Sequence, residues 1–362
     1  MSFLLNLIPT SDRIFLFASF PDYTDNSYAM YSYLQKRYGK RCKCIWIFQD
    51  KESLERHKGV KAYSKYSLPS FYYFARARYV FFTHGLYSFL KMRNKKVVNL
   101  WHGMPLKVIG LMDTNHGGND PTRADYLIAT SPFFQDVMAR SFKGIPIENV
   151  LLTGQPRNDM LFEKSDFFEK RGIDTGLFKS IGVWLPTYRK SIIGDIRKDG
   201  VFNGNGISFL GFEELKRLDT FLKACRQLLV IKLHPMDALQ NVEFCDFSNI
   251  IVVKPQEFDT QLYPLLGASD YLLTDYSSVW IDYCILKRPI GFVMNDIEEY
   301  RNSRGLTIEN LDEQLPGKII DSYEKLTEFI KEPPAFESKH LAIYNSHCDN
   351  KSSERLADRL GI

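Results

Sequence analysis

The chain has 362 residues, 44% hydrophobic and 25% charged, with a formal net charge of +4. This is ordinary globular composition with length for two domains, each able to bury its own core, and the mild basic excess suits anionic substrates or an anionic membrane face without calling for nucleic acid. The six cysteines, Cys42, Cys44, Cys225, Cys245, Cys284 and Cys348, form no Cys-x-x-Cys pair. They read as reduced thiols, and no metal site is expected.

From residue 13 onward, strand and helix signals alternate. Ile14–Ala18 predicts the first strand, and Asp25 or Asn26 caps a helix running through Tyr28–Leu34. Cys44–Phe48 is the second strand. Leu68–Ala77 is helical, and Tyr79–Phe82, Val97–Leu100 and Tyr126–Ala129 are strands. Ser131-Pro132 opens a helix, and Val150–Leu152 closes this half. The rhythm restarts at Ile181–Leu185 and continues with strands at Leu228–Leu233, Ile250–Val253, Tyr271–Thr274 and Ile290–Val293. A charged, helical stretch from about Phe162 to Ser180 connects the halves.

The expected organisation is an N-terminal domain over 1–165, a C-terminal domain over 180–335 and a helical tail over 336–362. The expected fold class is α/β, with two Rossmann-like doubly wound domains facing across a crevice and ligands at the carboxyl ends of the strands. Lys190–Gly206 mixes Gly and Asp with Lys and Arg. It reads either as a lid over the crevice or as a tolerated surface loop.

Strand exits carry the chemistry. Trp101-His102-Gly103-Met104-Pro105-Leu106-Lys107 leaves a strand, with Gly103 allowing close approach and Pro105 fixing the direction. An imidazole held there suits a base that takes a proton from an alcohol. Gly154-Gln155-Pro156-Arg157-Asn158-Asp159 is a turn expected to expose Arg157 and Asn158, for a phosphate and a hydroxyl respectively; otherwise Asn158 is a helix cap. Leu185-Pro186-Thr187-Tyr188-Arg189 turns Thr187 and Arg189 towards the crevice. Lys232-Leu233-His234-Pro235 repeats the strand, His, Pro pattern, so one histidine could act as base and the other could neutralise a phosphate. Thr274-Asp275-Tyr276-Ser277-Ser278 opens a helix at Val279–Leu286, where free N–H groups favour an anion. Tyr300-Arg301-Asn302-Ser303-Arg304-Gly305 adds two arginines that could reach a pyrophosphate. No Asp-x-Asp pair, phosphate-binding P-loop or G-x-G-x-x-G fingerprint occurs, which argues against carboxylate-bound metal, NTPase and nicotinamide chemistries.

In order and spacing these motifs resemble the CDP-glycerol glycerophosphotransferase family, the polyol-phosphate transferases of teichoic acid and related capsule synthesis. That family shows W-H-G-T-P-L-K, G-x-P-R-N-D, A-P-T-W-R, K-L-H-P and T-D-Y-S-S. Thr24-Asp25-Asn26 followed by Ala29–Leu34 is similar to its S-D-N-P-x-A-I-Y-E-Y-L segment. The resemblance runs from about residue 14 to residue 330.

It implies a GT-B fold, no cofactor, a CDP-linked polyol donor and a lipid-linked saccharide or polymer acceptor. The implied reaction is attack of an acceptor hydroxyl on the phosphorus next to the polyol, releasing CMP. Carried over, His102 is the general base and His234 binds the phosphates. Asp275, Ser277 and Ser278 hold the pyrophosphate or nucleotide, with Thr187, Arg189 and Arg304 around the donor. Gly103, Arg157 and Asn158 lie around the acceptor or polyol.

The chain departs from the pattern at Met104, Gln155, Leu185 and Tyr188, which leaves the polyol open between glycerol, ribitol and others. Two other functions stay open: a GT-B glycosyltransferase using a nucleotide sugar, and a silent paralogue that binds the polymer. Residues 1–9 lack a basic leader and cleavage site, and no apolar run nears the roughly 20 residues that span a bilayer. The expected location is therefore cytoplasmic, peripheral on the inner membrane face. The segments Tyr63–Tyr66, Phe71–Arg78 and Lys91–Lys96 interleave aromatic and basic side chains as an anionic interface requires.

Overall fold

The computed structural model describes residues 2–90, 93–113, 123–187, 207–234, 246–294, 307–308 and 311–362. They divide into two compact units, the first Met1–Pro105, Ile109–Phe162 and Ile343–Ile362, the second Leu106–Val108 and Glu163–Ala342. Each is built on a parallel sheet.

The strands of the first unit are β1 (Ser11–Ala18), β2 (Lys43–Phe48), β3 (Ala62–Ser64), β4 (Ala77–Phe82), β5 (Lys96–Asn99), β6 (Tyr126–Ala129) and β7 (Val150–Leu152). Their order is β3-β2-β1-β4-β5-β6-β7, all parallel. A parallel strand covered on both faces must be apolar throughout, and Ile14-Phe15-Leu16-Phe17-Ala18 is. Phe15 and Phe17 enter one core with Met30 and Leu34 of the helix Asp25–Tyr38, while Ile14, Leu16 and Ala18 enter the opposite core with Phe74 and Tyr87. Aromatic rings bind neighbouring strands: Phe15 stacks on Tyr79 at 5.1 Å and Phe17 on Phe81 at 5.4 Å.

The C-terminal segment is not a loose tail. Its helix Ser352–Leu360 sends Leu356, Ala357 and Leu360 into the core of the first unit. The carboxylate of Asp159 accepts the N–H groups of Ser352 and Ser353 at 2.7 and 2.8 Å, placing a negative group at the helix start.

The second unit contains β8 (Ser180–Leu185), β9 (Gln227–Lys232), β10 (Ile250–Val253), β11 (Tyr271–Thr274), β12 (Ile290–Val293) and β13 (Lys318–Ile320), in the order β10-β9-β8-β11-β12-β13. One face, with Leu229, Ile231, Tyr271 and Leu273, packs on the helices Phe212–Cys225 and Tyr323–Lys331.

Both units are doubly wound α/β sheets of the GT-B class, as expected. In each, strand order reverses beside the first strand, between β1 and β4 and between β8 and β11. Ligands of such sheets bind at the carboxyl ends of the strands flanking that point. Two local expectations change. The connection after Phe162 is mostly irregular, with a four-residue helix at Phe167–Lys170. The helix expected over Val279–Leu286 is α-helical only to Tyr283 and then tightens to 3-10 over Cys284–Leu286.

Candidate active site

At the reversal point of the first unit, three strand exits meet. The exit of β1 turns through Ser19, whose hydroxyl donates to the Pro21 carbonyl at 2.7 Å and accepts from the Thr24 N–H at 3.1 Å. Asn26, fully buried in the first turn of the following helix, joins this exit to the others. Its amide donates to the carbonyls of Leu100 and Trp101, both at 3.1 Å, and to Gln155 Oε1 at 3.3 Å, while its Oδ1 accepts the Arg157 N–H at 3.1 Å. A single side chain thus fixes both the Trp101–Gly103 turn and the Gly154–Asn158 turn. Asn26 was expected only as a cap; the residue before the helix is Thr24, which makes no side-chain cap bond, and the Asp25 carboxylate accepts the Asn26 N–H at 2.7 Å in the first turn.

The Trp101–Gly103 turn is strained. Trp101 has φ 52° and Gly103 φ 131°, and a bulky residue in the left-handed region costs of order 1–3 kcal/mol. The Asn99 side chain accepts the Trp101 N–H at 2.9 Å and helps hold it there.

The turn presents His102 with a solvent-facing edge. Its ring lies 4.1 Å from that of His84, nearly parallel at 13°, and 4.2 Å from that of Trp101. Its Nδ1 is 3.4 Å from the carbonyl oxygen of Thr83. A carbonyl only accepts, so the proton sits on Nδ1 and Nε2 keeps its lone pair. Protein packed around the ring, and secondarily Arg157, lower the His102 pKa from the usual imidazole value, against the opposing pulls of Asp25 and the Thr83 carbonyl. The shift favours the neutral imidazole.

Arg157 and Asn158 correct the sequence reading. Their turn does not expose them: they are 5% and 1% exposed. The Arg157 guanidinium donates to Asp25 Oδ1 at 2.9 Å, an ion pair removed from solvent on both sides. Asn158 is in a 3-10 turn, and its buried Oδ1 has no hydrogen-bond partner among the described residues.

In the second unit, Thr187 and Asp275 meet at the reversal point. The Thr187 N–H donates to Asp275 Oδ1 and Oδ2 at 3.1 and 2.9 Å, and its hydroxyl also donates to Oδ1. Thr274 Oγ1 donates to the Leu185 carbonyl at 3.1 Å, which fastens the two strand ends together. Asp275 therefore ties the β8 and β11 exits together through Thr187. Ser277 and Ser278 are half-buried beside it.

His234 is exposed past the end of β9. Lys232, two residues earlier, shares its face of the strand, opposite the core residues Leu229, Ile231 and Leu233. The Lys232 amine lies 4.8 Å from the Phe258 ring, and burial lowers its pKa to about 8. Arg189 and Arg304, with the segment Lys190–Gly206, lie outside the described residues.

The sequence reading missed two residues here. Lys232 was quoted only as part of a motif. His84 went unnoticed, although Phe82-Thr83-His84-Gly85 is a strand followed by His and Gly, the signal used for His102. The aromatic and basic segments also need correction. The Lys95 amine turns inward to the carbonyls of Ala75 and Ala77 at 2.7 and 2.6 Å, and burial lowers its pKa to about 7. Lys96 donates to the Leu360 carbonyl at 2.5 Å.

Comparison with known proteins places this arrangement. The profile of the family described as CDP-Glycerol:Poly(glycerophosphate) glycerophosphotransferase matches residues 1–361. The chain is 27% identical to a teichoic acid poly(glycerol phosphate) polymerase of Bacillus spizizenii, over 99% of this chain and 94% of the relative. It is 26% identical to a teichoic acid glycerol-phosphate transferase of Staphylococcus aureus, over 99% and 95%. Among solved structures, that of the wall teichoic acid polymerase TagF superposes with a TM-score of 0.73 at 23% identity, covering 97% of this chain and 89% of that one.

Proposed function

The chain belongs to the CDP-glycerol:poly(glycerophosphate) glycerophosphotransferase family and is a polyol-phosphate transferase of teichoic acid synthesis, and from that premise we propose that it moves glycerol phosphate from CDP-glycerol to a hydroxyl of a lipid-linked saccharide or growing polymer. His102 Nε2 takes the proton of the acceptor hydroxyl. The hydroxyl oxygen attacks the phosphorus that carries the glycerol, the bond from that phosphorus to the bridging oxygen breaks, and CMP leaves with the bond's electrons. A positioned base of this kind contributes roughly 10²- to 10⁴-fold in rate.

The second unit holds the donor. His234 and Lys232 supply positive or hydrogen-donating groups to the phosphates, Ser277 and Ser278 supply hydroxyls, and Asp275 positions Thr187. Arg189 and Arg304 are retained as donor-binding groups, and Gly103 as the point of close approach for the acceptor. The observation that carries the reading is the His102 imidazole, with its proton fixed on Nδ1 by Thr83 and a solvent-facing edge, at the ligand-binding edge of its sheet.

Glycerol phosphate is favoured over ribitol phosphate by the names of the two relatives that share nearly the full length. The test is CMP release from CDP-glycerol and, separately, CDP-ribitol, with a lipid-linked disaccharide analogue as acceptor. Release from CDP-glycerol at the greater kcat/KM supports the assignment; a preference for CDP-ribitol overturns it.

We place the enzyme on the inner membrane face, docked through its first unit. No helix among the described residues is long and apolar enough to cross a membrane. Phe3, Leu4, Leu7, Leu68, Tyr72 and Phe89 are exposed there, between 49% and 86%. Such side chains suit shallow insertion at a lipid interface. Co-sedimentation with vesicles containing phosphatidylglycerol should fall several-fold for Leu4→Glu combined with Leu68→Glu; unchanged sedimentation places the docking surface elsewhere.

A further inference from the structure

His84 is not explained by the reaction as written. It leaves β4 at the point where the strand order of the first unit reverses, beside the β1 exit, so it stands where a doubly wound sheet receives its ligand. One side of its ring is covered by His102, at 4.1 Å and 13°. Phe20, itself 51% exposed, meets it edge-on at 5.7 Å. Its Nδ1 is 2.8 Å from the hydroxyl of Thr83, the same residue whose carbonyl oxygen accepts from His102 Nδ1. Thr83 thus holds both imidazoles, one through its side chain and one through its backbone.

We propose that His84 is a positioning residue for the base: stacked flat on His102, it fixes the ring plane in which Nδ1–H meets the Thr83 carbonyl and Nε2 meets the acceptor hydroxyl. The inference rests on His102 being the base. Among the described residues the one hydrogen bond of the His102 side chain is the 3.4 Å contact with Thr83, and a parallel neighbour limits the tilt that so long a bond allows.

Both rings are held towards the neutral form. The charged groups facing them are Asp25, from the helix after β1, and Arg157, from the turn after β7, and these two are already paired with each other. The His84 pKa is lowered to about 3, first by the protein packed around it and then by His102. Held towards the neutral form, His84 adds no positive charge beside His102.

The test compares His84→Ala, His84→Phe and His102→Asn in the full chain, with two readouts. The first is an NMR titration of nitrogen-labelled histidines, with the His102 signals identified by their loss in His102→Asn. His84→Ala should move the His102 titration upward by about half a pH unit or more and mix its tautomers, because water enters where the ring lay. His84→Phe, which keeps a flat neighbour, should leave the titration low and the Nδ1–H form dominant. The second readout is CMP release. His84→Ala should lose about 10- to 100-fold in kcat with donor KM within about twofold, and His84→Phe should restore most of it.

An unchanged His102 titration and kcat in His84→Ala overturns the inference, as does a loss confined to KM or a His84→Phe variant no better than alanine. Full turnover in His102→Asn instead overturns the base itself, a result separate from any of these.

Discussion

The base we propose, His102, takes its character from its surroundings, and the pH dependence should report them. Its lowered pKa means that protonation, and with it loss of activity, comes as the pH falls through a value below about 6.5. The acidic limb of kcat/KM is therefore expected below 6.5; a limb at or above that value contradicts the packing around the ring.

The Arg157–Asp25 pair makes a different prediction. Arg157→Ala strands a carboxylate that is 16% exposed, and breaking such a pair costs about 3–5 kcal/mol, measurable by urea unfolding. Removing Asp25 as well should recover part of that loss, since the two act together. At this scale the sequence showed His102, Thr187 and Asp275 through their place at strand exits. It could not show that Arg157 turns inward, because its partner lies 132 positions away. Nor could it show that Asp275 bonds Thr187, across 88 positions, a bond that adjacency of β8 and β11 creates.

Among elements, the strands of the two sheets were legible wherever four or more apolar residues ran together, as in Ile14–Ala18 or Ile250–Val253. The edges β3 and β13 were not. Each is three residues long and, unlike the equally short Val150-Leu151-Leu152 of β7, is not apolar throughout, so it pairs where a neighbour offers free backbone groups. The C-terminal helix was legible as a helix but not as part of the first unit, since its apolar stripe does not say which surface it covers. Leu356, fully buried on that stripe, gives the check: Leu356→Ala should cost about 2–5 kcal/mol by urea unfolding. A loss below about 0.5 kcal/mol, typical of surface sites, would mean that the helix is not part of the core.

For the whole molecule, the aromatic content of 14% serves mainly to bind parallel strands and cover them, as in the contacts of Phe15, Phe17, Trp46 and Tyr79. Basic residues that looked like a membrane face partly turn inward, Lys95 and Lys96 among them, so the docking we propose rests on exposed apolar side chains more than on charge. The two units share one design: a parallel sheet whose order reverses beside its first strand, with polar residues gathered at that edge. In the first unit these are the histidines, and in the second the groups assigned to the donor.

The central claim is that this chain transfers an intact polyol phosphate with His102 as base. Mass spectrometry of a lipid-linked disaccharide analogue incubated with CDP-glycerol tests it most directly. The expected result is acceptor gaining whole glycerol phosphate units, one CMP released for each, and at least a 100-fold slower gain for His102→Ala. An acceptor that gains nothing from CDP-glycerol or CDP-ribitol but takes a sugar from a nucleotide sugar, or a His102→Ala variant as fast as wild type, would contradict it.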